Sequence, residues 1–270
     1  MKSEIIYEDD NHKWICIGRD IGKADIIIDS NEYLIISNGE GFLLDPGGLE
    51  IFPEVLGEVT KHIEPKNIKG ILSSHQDPDI ASSFSLWFEI CPDVKIYASR
   101  IWISFLQHFA LGTGVELLPV PDIGMELPIG NSGNNIYLVP AHYCHSSGNF
   151  SAYDPKADIL FSGDIGGALL PDMDTSLYVD NFQSHIQYME GFHKRWIPYK
   201  KPVLEWTNRV RNINPNLICP QHGSIFRQKD IEHFLSWLEN LEYGVWDNSI
   251  EQLDINDAPW LKWKKNNILL

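Results

Sequence analysis

The run His75-Gln76-Asp77-Pro78-Asp79 places potential metal ligands at every second position, directly after the apolar pair Ile71-Leu72. On a tight turn after a buried strand, alternate side chains converge on neighbouring points. His75 and Asp77 could therefore share one ion while Asp79 reaches a second. Three further ligand types stand alone after later β-rich runs: His142, Asp164 and His222. A carboxylate such as Asp164 has two oxygens and can bridge ions about 3.5–4 Å apart, with His142 and His222 each completing one of them. This set has three imidazoles, three carboxylates and no thiolate. Imidazole suits zinc, iron, nickel or copper, and carboxylate is the harder donor. Singly, a histidine before a helix is more often a cap or a buried hydrogen-bonded residue. The joint pattern points to a binuclear site: four turns, each after an apolar run, with Gly148, Gly163 and Gly223 nearby.

The elements that must position these turns can be read from periodicity and punctuation. Strands are expected over 5–7, 14–17, 25–28, 33–36 and 41–45, with Asn38-Gly39 as a hairpin turn. A helix over 52–62 follows, with Pro53 placed for its first turn. Strands and helices then alternate: strand 68–73, helix 80–90, strand 94–97, helix 101–109. A second strand-rich block covers 116–161, including 135–139, 149–153 and 159–161. The chain is helical and aromatic over 184–210, interrupted at Pro198 and Pro202. A short strand over 216–219 and a helix from about Asp230 complete the pattern, with Ile231, Phe234, Leu235, Leu238 and Leu241 on one face. Two strand blocks, each followed by helices, imply an α/β fold of two sheets face to face with helices outside. No linker is evident, so residues 1–250 are expected to form one domain. The tail 251–270, with Trp260-Leu261-Lys262-Trp263-Lys264-Lys265, is expected to pack on it.

Composition narrows the partners. A chain of 270 residues with 43% hydrophobic composition can bury a large core. A net charge of −16 argues against nucleic acid or an anionic membrane as the main partner. The four cysteines, Cys16, Cys91, Cys144 and Cys219, form no C-x-x-C pair, so a reducing, cytoplasmic setting is expected. No signal-peptide core and no transmembrane-length run is present.

The combination His75-x-Asp77-x-Asp79, His142, Ser162-Gly163-Asp164 and Gln221-His222-Gly223 resembles the metallo-β-lactamase superfamily. Asp45-Pro46-Gly47 matches its strand-end Asp before the first helix. Hydrolases of the superfamily carry H-x-H-x-D-H at the first motif, and flavodiiron proteins carry H-x-E-x-D-H. Asp77 is a carboxylate where the hydrolases have their second His, so the chain resembles the flavodiiron branch. The likeness continues through Pro92-Asp93-Val94-Lys95-Ile96-Tyr97-Ala98-Ser99 and through 188–225, covering most of 1–245. It implies a four-layer αββα sandwich, metallo-β-lactamase-like. It also implies one metal held by His75, Asp77 and His142, a second held by Asp79 and His222, and Asp164 between them. The motif's last His is Ile80 here, which leaves the second metal with an open position. The flavodoxin domain that carries FMN in flavodiiron proteins is not in the sequence, so no FMN domain is expected. Both departures resemble the stand-alone oxygen-binding diiron proteins, a bacterial group linked to O2 sensing in chemotaxis. That group has a run like His145-Ser146-Ser147-Gly148-Asn149-Phe150.

Around these ligands, His145 could hydrogen-bond a bound oxygen species, act catalytically or orient His142, or it could simply be a turn histidine. Cys144 could be redox-active or a small buried hydrophobe. Tyr178, Tyr188, Phe192, Trp196 and Tyr199 could wall a pocket or pack as core. Asp45 is expected to hydrogen-bond a ligand or a loop without coordinating. Two functions follow from the set. One is a non-haem diiron protein with two iron ions that binds, or slowly reduces, O2 or another diatomic. It would serve as an oxygen sensor or carrier, with an external electron donor or a signalling protein as partner. The alternative is a binuclear metallohydrolase loaded with zinc, manganese or iron, acting on an ester, thioester or phosphodiester. Whether it is an enzyme stays open between an O2/NO reductase-like oxidoreductase and a hydrolase. A homodimer is the default assembly.

Overall fold

A computed structural model describes residues 1–18, 28–110, 117–171 and 174–245. The first sheet takes seven strands in chain order: β1 (Lys2–Glu8), β2 (His12–Gly18), β3 (Asn31–Ser37), β4 (Glu40–Leu44), β5 (Ile68–Leu72), β6 (Lys95–Ser99) and β7 (Leu117–Val120). Its first four strands pair antiparallel, and β4 through β7 pair parallel. The second sheet holds β8 (Glu126–Pro128), β9 (Asn135–Pro140), β10 (Phe150–Asp154), β11 (Ile159–Gly163), β12 (Leu217–Pro220) and β13 (Phe226–Arg227), in spatial order β13-β12-β11-β10-β9-β8. Asn38 and Gly39 turn β3 into β4 with φ of 48° and 81°. This is the left-handed pair that a two-residue hairpin needs.

Several strands are apolar on both faces because both faces are covered. On β2, Trp14 and Cys16 point between the sheets, while Ile15 and Ile17 point outward under the helices. Tyr33 and Ile35 on β3, and Phe42 and Leu44 on β4, also face inward, with Phe150 and Phe161 from the other sheet. The outer face of the first sheet carries α1 (Phe52–Val59), α2 (Pro78–Ala81), α3 (Phe84–Ile90) and α4 (Ile103–Ala110). The outer face of the second carries α5 (Phe182–Trp196), α6 (Lys200–Ile213) and α7 (Gln228–Asn240). The result is the expected four-layer αββα sandwich.

Differences from the sequence reading are local. The helix expected over 80–90 is two pieces, α2 and α3, and at their join Ser82 Oγ donates to Pro78 O at 2.5 Å and Ser83 Oγ to Gly47 O at 2.5 Å. The helix expected over 52–62 stops at Val59. In the aromatic stretch, α5 starts from Asn181, whose side chain accepts from Ser184 N. Pro198 lies in the break before α6, and Pro202 is tolerated in the first turn of that helix. The strand expected over 25–28, apart from Ile28, and the tail 251–270 lie outside the described residues. No helix among the described residues is long and apolar enough to cross a membrane.

Candidate metal centre

The parallel strands deliver their C-terminal ends to one edge of the sandwich. There β4 runs into Asp45, β5 into Ser73-Ser74-His75, β11 into Asp164, and β12 into Gln221-His222. The β9–β10 loop arrives at the same edge. Backbone bonds tie these ends together: Phe150 N donates to Ser74 O, Gln221 N to Gly163 O, and Ala168 N to His222 O. Gly163 sits at φ +59°, and a Cβ there would lie 2.9 Å from Ser74 Oγ. Glycine therefore lets the Asp164 turn press against the His75 turn.

Two of the imidazoles, His75 and His222, are aimed by the bond the other nitrogen makes. Ser74 Oγ donates to Asp45 Oδ2 at 2.6 Å, while Ser74 N donates to Asp45 Oδ1 at 2.7 Å. The hydroxyl oxygen is then free to accept His75 Nδ1–H at 2.9 Å, leaving His75 Nε2 bare. His222 Nδ1 donates to Asp29 O at 2.7 Å, and its Nε2 also faces the site. Pro78 starts α2, and Asp77, the residue before it, makes no capping bond with its side chain. Its carboxylate is held instead by Gln76 Nε2, which donates to Asp77 Oδ1 at 2.8 Å. Ser146 Oγ in turn donates to Gln76 Oε1.

Two groups of donors result, sharing one carboxylate. His75, Asp77, His145 and Asp164 each offer an atom, all within 4.8 Å of one another. Asp77 Oδ2 lies 3.4 Å from His75 Nε2 and 3.3 Å from His145 Nε2. Asp164 Oδ2 lies 3.7 Å and 3.2 Å from the same two nitrogens. The other oxygen, Asp164 Oδ1, stands 3.5 Å from His222 Nε2, which is 3.6 Å from Asp79 Oδ2. Ligands arranged tetrahedrally about an ion at about 2.0–2.1 Å are separated by about 3.3–3.4 Å, so the spacings fit. His75 Nε2 and Asp164 Oδ1 are buried without a hydrogen-bond partner. Both observations describe two donor groups that could each hold a cation, with Asp164 between them.

The facing charges shift one another's proton affinities. Burial alone would lower His75, but the carboxylates of Asp164 and Asp77 outweigh it and push the imidazole up to about 10. His222 is raised against its burial by Asp164 and Asp79. Burial would raise Asp77 and Asp164, yet the surrounding imidazoles hold both below the usual carboxylate range. Asp79 moves the other way, raised by burial because His222 offsets too little of it. Asp45, wholly buried, is pushed up to about 7 by desolvation.

His142 does not join the cluster. The β9–β10 loop closes on Tyr143 N to Ser146 O and Ala141 N to Asn149 O, with Tyr143 and His145 at φ of 63° and 118°. These two left-handed residues turn His145 inward. His142 faces away, donates Nε2–H to Asp122 O at 2.7 Å and packs edge-on to Phe150. The expected ligand His142 is therefore replaced in the cluster by His145, which the sequence reading had placed beside the ligands. Tyr178 is also away from the site: it pairs with Ile225, lies under the Arg227 guanidinium and packs against the inter-sheet core. Ile80 is fully buried in the core beneath the first sheet's helices. Cys144 is buried and its thiol is pushed far up by desolvation, so it behaves as a small hydrophobe.

A cleft of about 550 Å³ opens onto the donors, walled by Ile28, Pro78, Leu169, Phe192 and Trp196. Phe192 stacks on the His145 ring at 5.4 Å, and Trp196 lies 5.2 Å from it. Tyr199 sits against Tyr143 further out, while Tyr188 packs with the outer core. Sequence reasoning missed Ser74, Gln76, Gln221 and His193. His193 Nδ1 donates to Met189 O, its Nε2 accepts from Gly166 N, and burial lowers it to about 4. It is thus a neutral clamp on the loop after Asp164.

The sequence matches the family described as "ODP family beta lactamase" over residues 28–223. Among solved structures, the chain is similar to the apo chemotaxis sensor ODP from T. denticola, 38% identical with a TM-score of 0.81, covering 94% of this chain and 99% of that one. It is equally similar to a chemotaxis sensor ODP described as a peroxy diiron species, at 38% identity and a TM-score of 0.80, covering 94% of this chain and 100% of that one. A flavo-diiron protein from Clostridium acetobutylicum is 24% identical over 207 residues, 74% of this chain and 50% of that protein. The chain spans 31% to 53% of the length of the first three curated relatives it matches.

Proposed function

Since the chain belongs to the ODP beta-lactamase family, we propose that it is a non-haem diiron protein that binds O2 and works as an oxygen sensor or carrier. One observation carries this reading: the two oxygens of Asp164 face separate imidazole groups, Oδ2 toward His75 and His145, Oδ1 toward His222. One position would take His75, Asp77 and His145, the other Asp79 and His222, with Asp164 common to both. When two ferrous ions are bound there, they supply the redox chemistry that O2 needs and that d¹⁰ zinc lacks.

The rest follows from this chain's own residues. Asp45 and Ser74 fix the tautomer and direction of His75, an outer-layer role that tunes ligand basicity. Phe192 and Trp196 cover His145 and exclude water from that side of the cleft. Their apolar surface suits a small uncharged gas better than a phosphate or carboxylate substrate. A downstream signalling protein or an external reductant would be the partner in this reading.

The test is to purify the protein without oxygen, count iron and zinc, and then admit air while recording visible absorption. Two irons per chain and a new charge-transfer band are expected. Zinc occupancy with esterase or phosphodiesterase turnover, or iron that ignores O2, would overturn the reading.

A further inference from the structure

Resting on that two-ion reading, we propose that the side-chain amide of Gln221 is a further donor to the second ion position, turning its oxygen inward when an ion binds. The backbone of Gln221 is held on both sides: its N–H donates to Gly163 O at 2.8 Å, and its carbonyl accepts Asn31 N at 2.6 Å. The residue is 1% exposed, so its side chain has few alternatives. Its Nε2 stands 2.9 Å from Asp79 Oδ2, the same oxygen that faces His222 Nε2 at 3.6 Å. The amide therefore reaches the point where the second ion's ligands meet. Its other end, Oε1, is buried without a partner.

An amide oxygen and its NH2 group are nearly alike in shape, and half a turn about the terminal torsion exchanges them. Facing a bare carboxylate, the NH2 end belongs toward Asp79. Facing a divalent cation, the same end would set its partial positive charge against the ion, and the unpaired oxygen is the better neighbour. The donor count points the same way. Asp79, His222 and Asp164 Oδ1 supply three atoms to this position, and Ile80, following Asp79, has none to add. An amide oxygen in the fourth place makes the position harder than an imidazole would, which favours ferrous or manganous ions over zinc.

The experiment titrates the metal-free, full-length protein with Fe2+ under anaerobic conditions, following both binding steps by calorimetry for the native chain, Gln221→Leu and Gln221→Glu. It adds the Gln221 side-chain 13Cδ and 15Nε resonances of the native protein before and after loading with Zn2+. We expect two steps in the native chain. Gln221→Leu should weaken one step at least tenfold and leave the other intact, and Gln221→Glu should retain both. The Gln221 carbonyl carbon should shift on loading. If Gln221→Leu binds both ions like the native chain, the proposal is wrong. It is equally wrong if the Gln221 resonances do not move on loading, a readout that stands even where a variant fails to fold. A native chain that takes up fewer than two ions would sink the diiron reading itself, which is a separate result.

Discussion

Glu32 is a carboxyl group with no exposed surface, standing near the candidate metal centre. Its Oε1 accepts Ser30 Oγ at 2.6 Å, and its Oε2 has no partner. Burial, with the charges of Asp29 and Asp79 adding to it, pushes its pKa from 4.5 to about 8. A folded pKa above the unfolded one means stability that is full below about pH 4.5 and is lost as pH rises through about 8. Glu32→Gln removes that loss, keeps an acceptor for Ser30 and adds a donor. At pH 7 the gap between the unfolded pKa and the pH is about 2.5 units, worth about 3 kcal/mol at about 1.4 kcal/mol per unit. At pH 5 the same arithmetic leaves less than about 1 kcal/mol. The assay is urea unfolding of the metal-free protein at pH 5, 6, 7 and 8, because a cation beside Asp79 would pull Glu32 back down. The variant should be more stable, and its advantage should grow with pH. An advantage that stays flat across this range, or a variant weaker than the native chain at pH 8, would refute the argument that Glu32 is an uncompensated buried acid.

Other consequences are open to direct measurement. His145→Ala should cost one bound ion per chain, whereas His142→Ala should keep both, as metal analysis after dialysis will show; the reverse pattern would restore His142 as the ligand. Ser74→Ala cuts the link from Asp45 to His75 and should weaken metal binding about 10–100-fold without unfolding the protein, measured by competition with a chelator. Because the metal-free His75 is raised to about 10, an incoming ion must displace its proton. Affinity should therefore tighten up to about tenfold per pH unit between pH 7 and 9, and calorimetry in buffers of different ionisation enthalpy should count the released proton. At the far end of the sandwich, the Asp154 carboxylate is gripped by His12 Nε2 and by Trp14 Nε1, each at 2.6 Å. Burial opposes ionisation there, but these bonds hold Asp154 below its usual range. Its contribution is present above about pH 4 and lost as pH falls further, so Asp154→Asn should destabilise most at neutral pH and least at pH 3.

The fold was legible because its signals are local and repeated. The apolar runs on β2, β3 and β4 alternate between two cores, and the Asn38-Gly39 turn follows from residue chemistry alone. The structure brings Asp164, His75, Asp77, Asp79 and His222 to one edge: His75, Asp164 and His222 each stand within three residues of a strand end that the sheet fixes, and Asp77 and Asp79 follow His75 into α2. His142 also comes directly after a strand, β9, and that rule failed there. The next residues, Tyr143 and His145, adopt positive φ, which neither residue type advertises. What decides between His142 and His145 is the Asp122 carbonyl waiting for the former and the face of Phe192 waiting for the latter. Both are contacts far apart in sequence. The one local clue was the Gly148-Asn149-Phe150 run that begins three residues after His145.

The residues that the sequence hid share a property that explains their invisibility. Ser74, Gln76, Gln221 and His193 carry no charge as they stand, and each acts by holding a group already present: Ser74 and Gln76 grip His75 and Asp77, Gln221 touches Asp79, and His193 pins the Gly166 turn. A composition or motif search weights charged and metal-binding types and so passes over Ser74, Gln76 and Gln221. Yet the centre depends on them, because three carboxylates and three imidazoles packed at 3.2–3.7 Å would otherwise relax into whichever ion pairs lay nearest. Fixed directions, not the mere presence of ligands, separate a site that accepts two cations from a cluster of salt bridges. Neutral hydrogen-bonding neighbours supply those directions without adding charge of their own.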